Sequence, residues 1–191
     1  MKKKNYVGWL ILIVGNSGSG KDSIMNGVKE KFPSDSKMLY LAQRFITRRP
    51  SDTEDNFVVT PEDFKKMSLQ GKFALEWHIY GLDYGVPIDI DDWLEDGHIV
   101  LVNVSRTIVK KAREIYKNIK VIFIEVPFEF TLKRIKDRGR ESGERLEERI
   151  QRARNNQSYP DADFNIDNSG DIEDAIDKFL NYVMKIINPN I

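Results

Sequence analysis

The sequence predicts an α/β fold in three layers, with a parallel sheet held between helices. Three observations carry this reading. The runs "YVGWLILIV", "HIVLVNV" and "KVIFIEV" are continuously apolar rather than alternating, the pattern of strands covered on both faces. The helical stretch "SRTIVKKAREIYKN" lies between the second and third of them, making a strand–helix–strand unit whose strands run parallel. The first run leads directly into a glycine-rich turn and then a helix, "GNSGSGKDSI".

Composition fits one globular domain spanning residues 1–191, with 40% apolar and 31% charged residues. Thirty basic residues balance thirty acidic ones. No global field therefore draws the chain to nucleic acid or to an anionic membrane, and any anion site must be built locally. The absence of cysteine excludes disulfides and thiolate chemistry, and fits a reducing cytoplasm. The opening "MKKKNYVGWLILIVG" loosely imitates a secretory signal, but its apolar run is too short to span a bilayer and feeds the glycine loop. It is expected to be a buried first strand. No apolar stripe marks a subunit interface, so the oligomeric state is left open.

The remaining elements follow in order. "KDSIMNGVKEKF" is a helix with Ile24, Met25, Val28 and Phe32 on one side, stopping before Pro33. "KMLYLAQRF" is expected to be a single second strand. "TPEDFKKMSLQG" has a Thr60 cap, Pro61 at the first helical position and Gly71 as its stop. "KFALEWHIYGLDYGV" reads as strand, turn and strand, and a short helix around Ile88 to Asp96 ends at Gly97. Two charged helices follow Pro127, then a short strand near "DFNID". The final helix places Ile172, Ile176, Phe179, Val183 and Ile187 on one stripe.

"GNSGSGK" fits GxxxxGK, the frame of a phosphate-binding loop. Gly15, Asn16, Ser17, Gly18, Ser19 and Gly20 would turn backbone N–H groups inward, and the helix start adds partial positive charge. Lys21 supplies a mobile cation for the β and γ phosphates. The frame normally continues with Ser or Thr, whose hydroxyl sits on magnesium, whereas this chain has Asp22. Asp22 is a candidate magnesium ligand, direct or through water, because Mg²⁺ binds carboxylate and phosphate oxygens together. Ser23 is the alternative donor, and a third reading has Asp22 only complementing the helix start.

Two arginine clusters lie outside the loop. "RFITRRP" holds Arg44, Arg48 and Arg49; "RIKDRGRESGERLEERIQRAR" holds Arg134, Arg138, Arg140, Arg145, Arg149, Arg152 and Arg154. Guanidinium groups suit phosphate recognition and stabilise a transferring phosphoryl group. Taken alone, the second cluster also reads as a solvated helix laced with glutamates. A phosphate acceptor would need no general base, since its oxygen is already ionised near neutral pH. Of the two histidines, His98 reads as structural. His78, among Glu76, Trp77, Tyr80 and Tyr84, is a candidate for the acceptor pocket.

The order of these segments resembles the guanylate kinase group over nearly the whole chain. "GSGKDS", "RFITR", "WHIYGLDYGV", "LVNVSR" and "RGRE" resemble the ribose 1,5-bisphosphate phosphokinases, which make 5-phosphoribosyl diphosphate (PRPP) from ATP. The Asp after the loop lysine belongs to that family's pattern. The resemblance implies a P-loop NTPase three-layer fold with a parallel core sheet, a small acceptor-binding lobe over about 44–85 and a lid over about 138–144. It implies ATP and Mg²⁺ at Gly15 to Ser23, with Lys21 following the transferring group. Arg48, with Arg44, would hold the acceptor's phosphate, and Glu76, His78 and Tyr84 would line its pocket. Arg138, Arg140 and Arg149 would close over the phosphates, and "NSG" near Asn168 falls where adenine is held.

Departures from guanylate kinase are specific. Ser51 stands where that group has a second arginine, Asn56 near a phosphate-binding tyrosine, Val86 where a hydroxyl helps read the base, and Asn103 where an acidic residue lies. Glu76 points the other way, because it matches the carboxylate that reads guanine. The spacing from Trp77 to Tyr84 is nevertheless one residue shorter than in guanylate kinases. The residues favour a sugar bisphosphate over guanylate; a guanylate kinase and a non-catalytic binding module are the alternatives.

Overall fold

The structure, a computed structural model, describes residues 3–33, 38–48, 56–138 and 143–188. In chain order it forms β1 (Trp9–Gly15), α1 (Lys21–Lys31), β2 (Leu39–Leu41), β3 (Phe45–Ile46), β4 (Phe57–Val58) and α2 (Pro61–Leu69). There follow β5 (Phe73–Ile79), β6 (Leu82–Pro87), α3 (Ile90–Glu95), β7 (Ile99–Asn103) and α4 (Arg106–Ile115). The chain ends with β8 (Ile119–Glu125), α5 (Phe128–Arg138), α6 (Gly143–Asn155), β9 (Phe164–Asp167) and α7 (Ile172–Ile187). A five-stranded sheet has the order β2-β7-β1-β8-β9, and a four-stranded sheet the order β4-β3-β6-β5. The described pairings β2–β7 and β8–β9 are both parallel, as the continuous apolar runs require. By contact density the chain divides into two compact units: Met1–Leu12 with Pro33–Lys120, and Ile13–Phe32 with Val121–Ile191.

In the first unit, Leu10, Ile11 and Leu12 are fully buried, as are Ile99 to Val102 of β7. Each such side chain contributes roughly 1.5–3 kcal/mol relative to exposure. α4 is capped by the Ser105 hydroxyl, which accepts from the Thr107 N–H, and it buries Ile108, Val109 and Ala112. Behind α3 and α4 sits a polar cluster. The Tyr116 hydroxyl donates to Asp91 at 2.7 Å, and the Lys4 ammonium pairs with the other oxygen of the same carboxylate. Burial first, then the Asp91 hydrogen bond, pushes the Tyr116 phenol above its ordinary range. The cluster ties the segment before β1 to α3 and to the end of α4.

The small sheet also belongs to the first unit. α2 starts as its sequence demands, with Thr60 Oγ1 accepting from the Asp63 N–H and proline in the first turn. β5 and β6 form an antiparallel hairpin closed by Tyr80 and Gly81, both at positive φ, 56° and 73°. That is the turn whose twist matches the strands it joins.

The second unit packs α1 against α7. α1 buries Ile24, Met25 and Val28, and α7 buries Ala175, Ile176, Phe179 and Val183. Lys31 closes the pair at its surface, 2.7 Å from both Glu173 and Asp177. α5 and α6 enclose a separate apolar cluster of Ile135, Ile150 and Ala153, with Phe128, Leu132 and Leu146 around it.

Three details differ from the sequence reading. "KMLYLAQRF" is two strands rather than one: Leu39–Leu41 pairs with β7 in the large sheet, and Phe45 and Ile46 pair with β6 in the small one. Phe32 ends α1 as its carboxyl cap and is only half-buried. On α7 the stripe is carried by Ala175 in place of Ile172, which sits in the exposed first turn.

Candidate active site

The phosphate loop lies in the second unit, at the carboxyl end of β1, where open α/β sheets bind ligands. Its glycines are required by geometry. A Cβ on Gly15 would meet the Ile124 carbonyl oxygen at 2.6 Å and Ser19 Oγ at 2.9 Å. Gly20, the amino cap of α1, has φ 89°, and a Cβ there would meet Asn168 Nδ2 at 2.4 Å. Asn168 is almost fully buried, donates through Nδ2 to the Ser19 carbonyl at 2.8 Å, and donates its own N–H to the Glu125 carbonyl.

Side-chain hydrogen bonds brace the rest of the loop, some to its carbonyls and some through its own side chains. Arg134 Nη1 donates to the Gly18 carbonyl at 2.9 Å, and Asn16 Nδ2 donates to the Ala153 carbonyl at 3.0 Å. Arg149 Nη2 donates to the Ser17 hydroxyl. The Lys21 ammonium donates to the carbonyls of Gly15 and Asn16, at 3.0 and 2.9 Å, which holds the cation over the loop. Donors on α5 and at the β9 exit thus take the Gly18 and Ser19 carbonyls, α6 is tied to the loop through the Ser17 hydroxyl and the Asn16 side chain, and the Ser19 N–H closes the turn on the Asn16 carbonyl. A strand–glycine loop–helix turn of this kind directs backbone N–H groups at an anion.

Asp22 and Ser23 are exposed in the first turn of α1, next to the loop. No cluster of three or more His, Asp or Glu side chains suited to a metal exists among the described residues. Magnesium needs no such cage: it keeps waters and takes one or two protein oxygens together with substrate phosphates. A carboxylate and a hydroxyl beside the loop fit that donor set.

At the carboxyl ends of β8 and β9 lies a pocket of about 300 Å³, lined by Glu125, Val126, Pro127, Gln157, Asp167 and Ser169. Hydrogen bonds from the hydroxyl and N–H of Ser169 hold the Asp167 carboxyl below the usual carboxylate range. This is the "NSG" segment singled out in the sequence.

The candidate acceptor residues all lie in the first unit. Arg44 Nε donates to Asn56 Oδ1 at 3.2 Å, and its guanidinium lies 5.8 Å from the Tyr84 ring centroid. Tyr84 stacks in turn on Trp77, its cross-strand partner, with centroids 5.3 Å apart and planes within 2° of parallel. Arg48 follows β3 and is half-buried. Glu76 pairs with Gly85 across the hairpin, so it lies on the face opposite Trp77 and Tyr84. His78 shares the Glu76 face and binds Asp83, Nδ1 to Oδ1 at 2.6 Å, with its ring largely exposed. The second histidine, His98, accepts the Met38 N–H on Nδ1 at 3.3 Å and is structural, as expected.

The structure thus brings Lys21, Arg149 and the loop together, and separately Arg44 with Tyr84. It separates Glu76 and His78 from Tyr84. The Arg138 side chain, Arg140 and Arg49 lie outside the described residues, as does most of the expected lid, 139–142. Sequence reasoning named Arg134 in the second arginine cluster without giving it a role, and it did not find the contact from Asn168 to Ser19. Arg134 carried a usable signal, one helical turn before Arg138; no spacing rule links positions 168 and 19.

A parallel sheet, a strand–glycine loop–helix and a cation at the helix start define a P-loop kinase, and the family model for guanylate kinase matches residues 8–186. A crystal structure of guanylate kinase from Anaplasma phagocytophilum aligns with a TM-score of 0.68, covering 94% of this chain and 86% of that one. At 21% identity this likeness concerns the fold. Ribose 1,5-bisphosphate phosphokinase PhnN of Rhodopseudomonas palustris is 38% identical over 164 residues, 86% of this chain and 82% of its own. The enzyme of the same name from Pseudomonas paraeruginosa is 37% identical over 177 residues, 91% and 94% of the two chains. Within the guanylate kinase-like class, the chain belongs to the ribose 1,5-bisphosphate phosphokinase family.

Proposed function

We propose that this chain transfers the γ-phosphoryl group of ATP to ribose 1,5-bisphosphate, giving PRPP and ADP. The observation that carries the choice of acceptor is the 38% identity, over most of both chains, to a protein of that name. An oxygen of one acceptor phosphate attacks the γ-phosphorus as the bond to the ADP oxygen breaks. That oxygen is already ionised, so positioning and charge neutralisation suffice.

In this reading Gly15 to Lys21 cradle the ATP phosphates, and the Lys21 ammonium leaves its two carbonyls to follow the transferring group. Arg149, together with Arg138 and Arg140, neutralises charge on the phosphates. Magnesium, held by Asp22 or Ser23, would screen the triphosphate when bound. The pocket beside Asp167 and Ser169 takes the adenine. Arg48 and Arg44 hold the acceptor's other phosphate. Residues 1–191 act as one kinase domain, with an acceptor lobe over about 44–85 and a lid over about 138–144. The place of action is the cytoplasm, which the cysteine-free sequence fits. Among the described residues no helix is long and apolar enough to cross a membrane.

The test is an acceptor panel with ATP and Mg²⁺: ribose 1,5-bisphosphate, GMP, dGMP, AMP and ribose 5-phosphate. Ribose 1,5-bisphosphate is expected to be best, with GMP lower in kcat/KM by at least about a hundredfold, roughly 2.7 kcal/mol. A preference for GMP makes this a guanylate kinase with a remodelled pocket, and no turnover with any acceptor makes it a binding module.

A further inference from the structure

Arg48 leaves the small sheet one residue beyond Thr47, and Thr47 is fastened to the hairpin twice. Its N–H donates to the Asp83 carbonyl at 3.1 Å, and its Oγ1 accepts the Asp83 N–H at 2.9 Å. The contact extends the register Phe45↔Gly85 and Ile46↔Tyr84 by one more residue, past the end of β3. The first bond is ordinary antiparallel pairing and needs only main chain. The second uses a side chain where the ladder would otherwise continue, so the residue type matters. Asp83 is fixed on its other side by its carboxylate contact with His78, across the hairpin. Thr47 is thus anchored to a partner that is itself anchored.

We infer that Thr47 is a positioning residue of the acceptor site: its hydroxyl ends strand pairing at a set point and so fixes where Arg48 departs. Without the hydroxyl the Asp83 N–H, in a partly buried contact, either loses its acceptor or draws in the Thr47 carbonyl and continues the ladder, and both shift the backbone at the residue next to the arginine. A guanidinium that must meet a phosphate in planar geometry tolerates little displacement of its own backbone. The effect should fall on acceptor binding and spare ATP, because the loop that holds ATP is fastened by other residues. This inference rests on the proposed role of Arg48 in holding the acceptor's phosphate.

The experiment is a double-mutant cycle on the full chain, with steady-state kinetics for both substrates. Thr47→Val removes the hydroxyl at nearly constant volume, and Thr47→Ser keeps it. We expect Thr47→Val to raise the KM for the acceptor about tenfold and to leave the KM for ATP within twofold, and Thr47→Ser to restore both. In an Arg48→Ala background, Thr47→Val should have no further effect on the acceptor KM, since it acts through that arginine. Equal penalties in the presence and absence of Arg48, or a Thr47→Val enzyme with wild-type acceptor kinetics, would overturn the inference. Should Thr47→Val prove insoluble, Thr47→Ala and Thr47→Ser are compared in its place with the same criteria. The acceptor panel on the wild-type enzyme decides the substrate separately. If GMP is preferred there, the cycle is run with GMP, and its outcome still judges Thr47.

Discussion

The phosphate loop and the β5–β6 hairpin are stabilised in opposite ways. The loop is held through its own main chain: Asn168 takes the Ser19 carbonyl, Arg134 the Gly18 carbonyl, and Lys21 those of Gly15 and Asn16. The hairpin is held by side chains meeting across strands: Trp77 on Tyr84, His78 on Asp83, and Arg44 beside the Tyr84 ring. A site built from backbone groups tolerates almost no change of residue at its glycines, but its anion chemistry is the same for any phosphate. A site built from side-chain pairs can be rewritten one pair at a time.

The largest effect that would test this contrast is at Lys21. Lys21→Met keeps the length and apolar stem of the side chain and removes the charge. Turnover should fall by at least about a thousandfold, roughly 4 kcal/mol of transition-state stabilisation. Thermal unfolding should stay within a few degrees of wild type, because the apolar stem is kept and what is lost is polar contact at the loop, including the bonds to the Gly15 and Asn16 carbonyls. A variant that retains a tenth of its activity would show that the arginines, not the loop lysine, carry the transferring charge.

A smaller effect is expected at Gly20. Alanine there must adopt φ 89° and place its Cβ against the Asn168 amide. The left-handed backbone costs about 1–2 kcal/mol, and displacing a buried amide from its carbonyl adds a similar amount. Gly20→Ala should therefore lower the melting temperature by several degrees and raise the KM for ATP about tenfold, with the acceptor KM little changed. An unchanged melting temperature would mean that Asn168 moves aside without cost and that the loop is not fastened from beneath.

How much of this was legible in the sequence follows from the same contrast. The loop could be read because glycine spacing, a preceding buried strand and a following helix are all local, and the structure places each where the residues require. The sheet partner of a strand is not local information. "KMLYLAQRF" has the composition of one strand, yet Leu39–Leu41 and Phe45–Ile46 join different sheets, since the partners are β7 and β6, far along the chain. The hairpin was visible in "IYGLDYG", but which face each residue takes depends on register, and that separated Glu76 from Tyr84. Arg134 and Asn168 were both in view in the sequence, but the loop carbonyls they hold were not, because those contacts span more than a hundred residues.

The smallest predicted effect separates the two faces of the hairpin. Glu76 matches a guanine-reading carboxylate in the sequence, yet it lies on the face it shares with His78 and Gly85, away from Tyr84 and its stacked Arg44. A sugar bisphosphate offers a carboxylate only hydroxyls and no base N–H groups, and at a half-exposed position water or the serine hydroxyl can take over such a contact. A carboxylate near a doubly phosphorylated acceptor is, if anything, repulsive, and the serine hydroxyl keeps a polar group in a half-exposed place. Glu76→Ser should therefore change kcat/KM for ribose 1,5-bisphosphate by less than about threefold, under roughly 0.7 kcal/mol. The measurement is a direct comparison of the two proteins at subsaturating acceptor. A loss of a hundredfold or more would place the acceptor against the Glu76 face. It would also make His78 and Asp83, rather than Arg44 and Tyr84, the side chains that meet the acceptor.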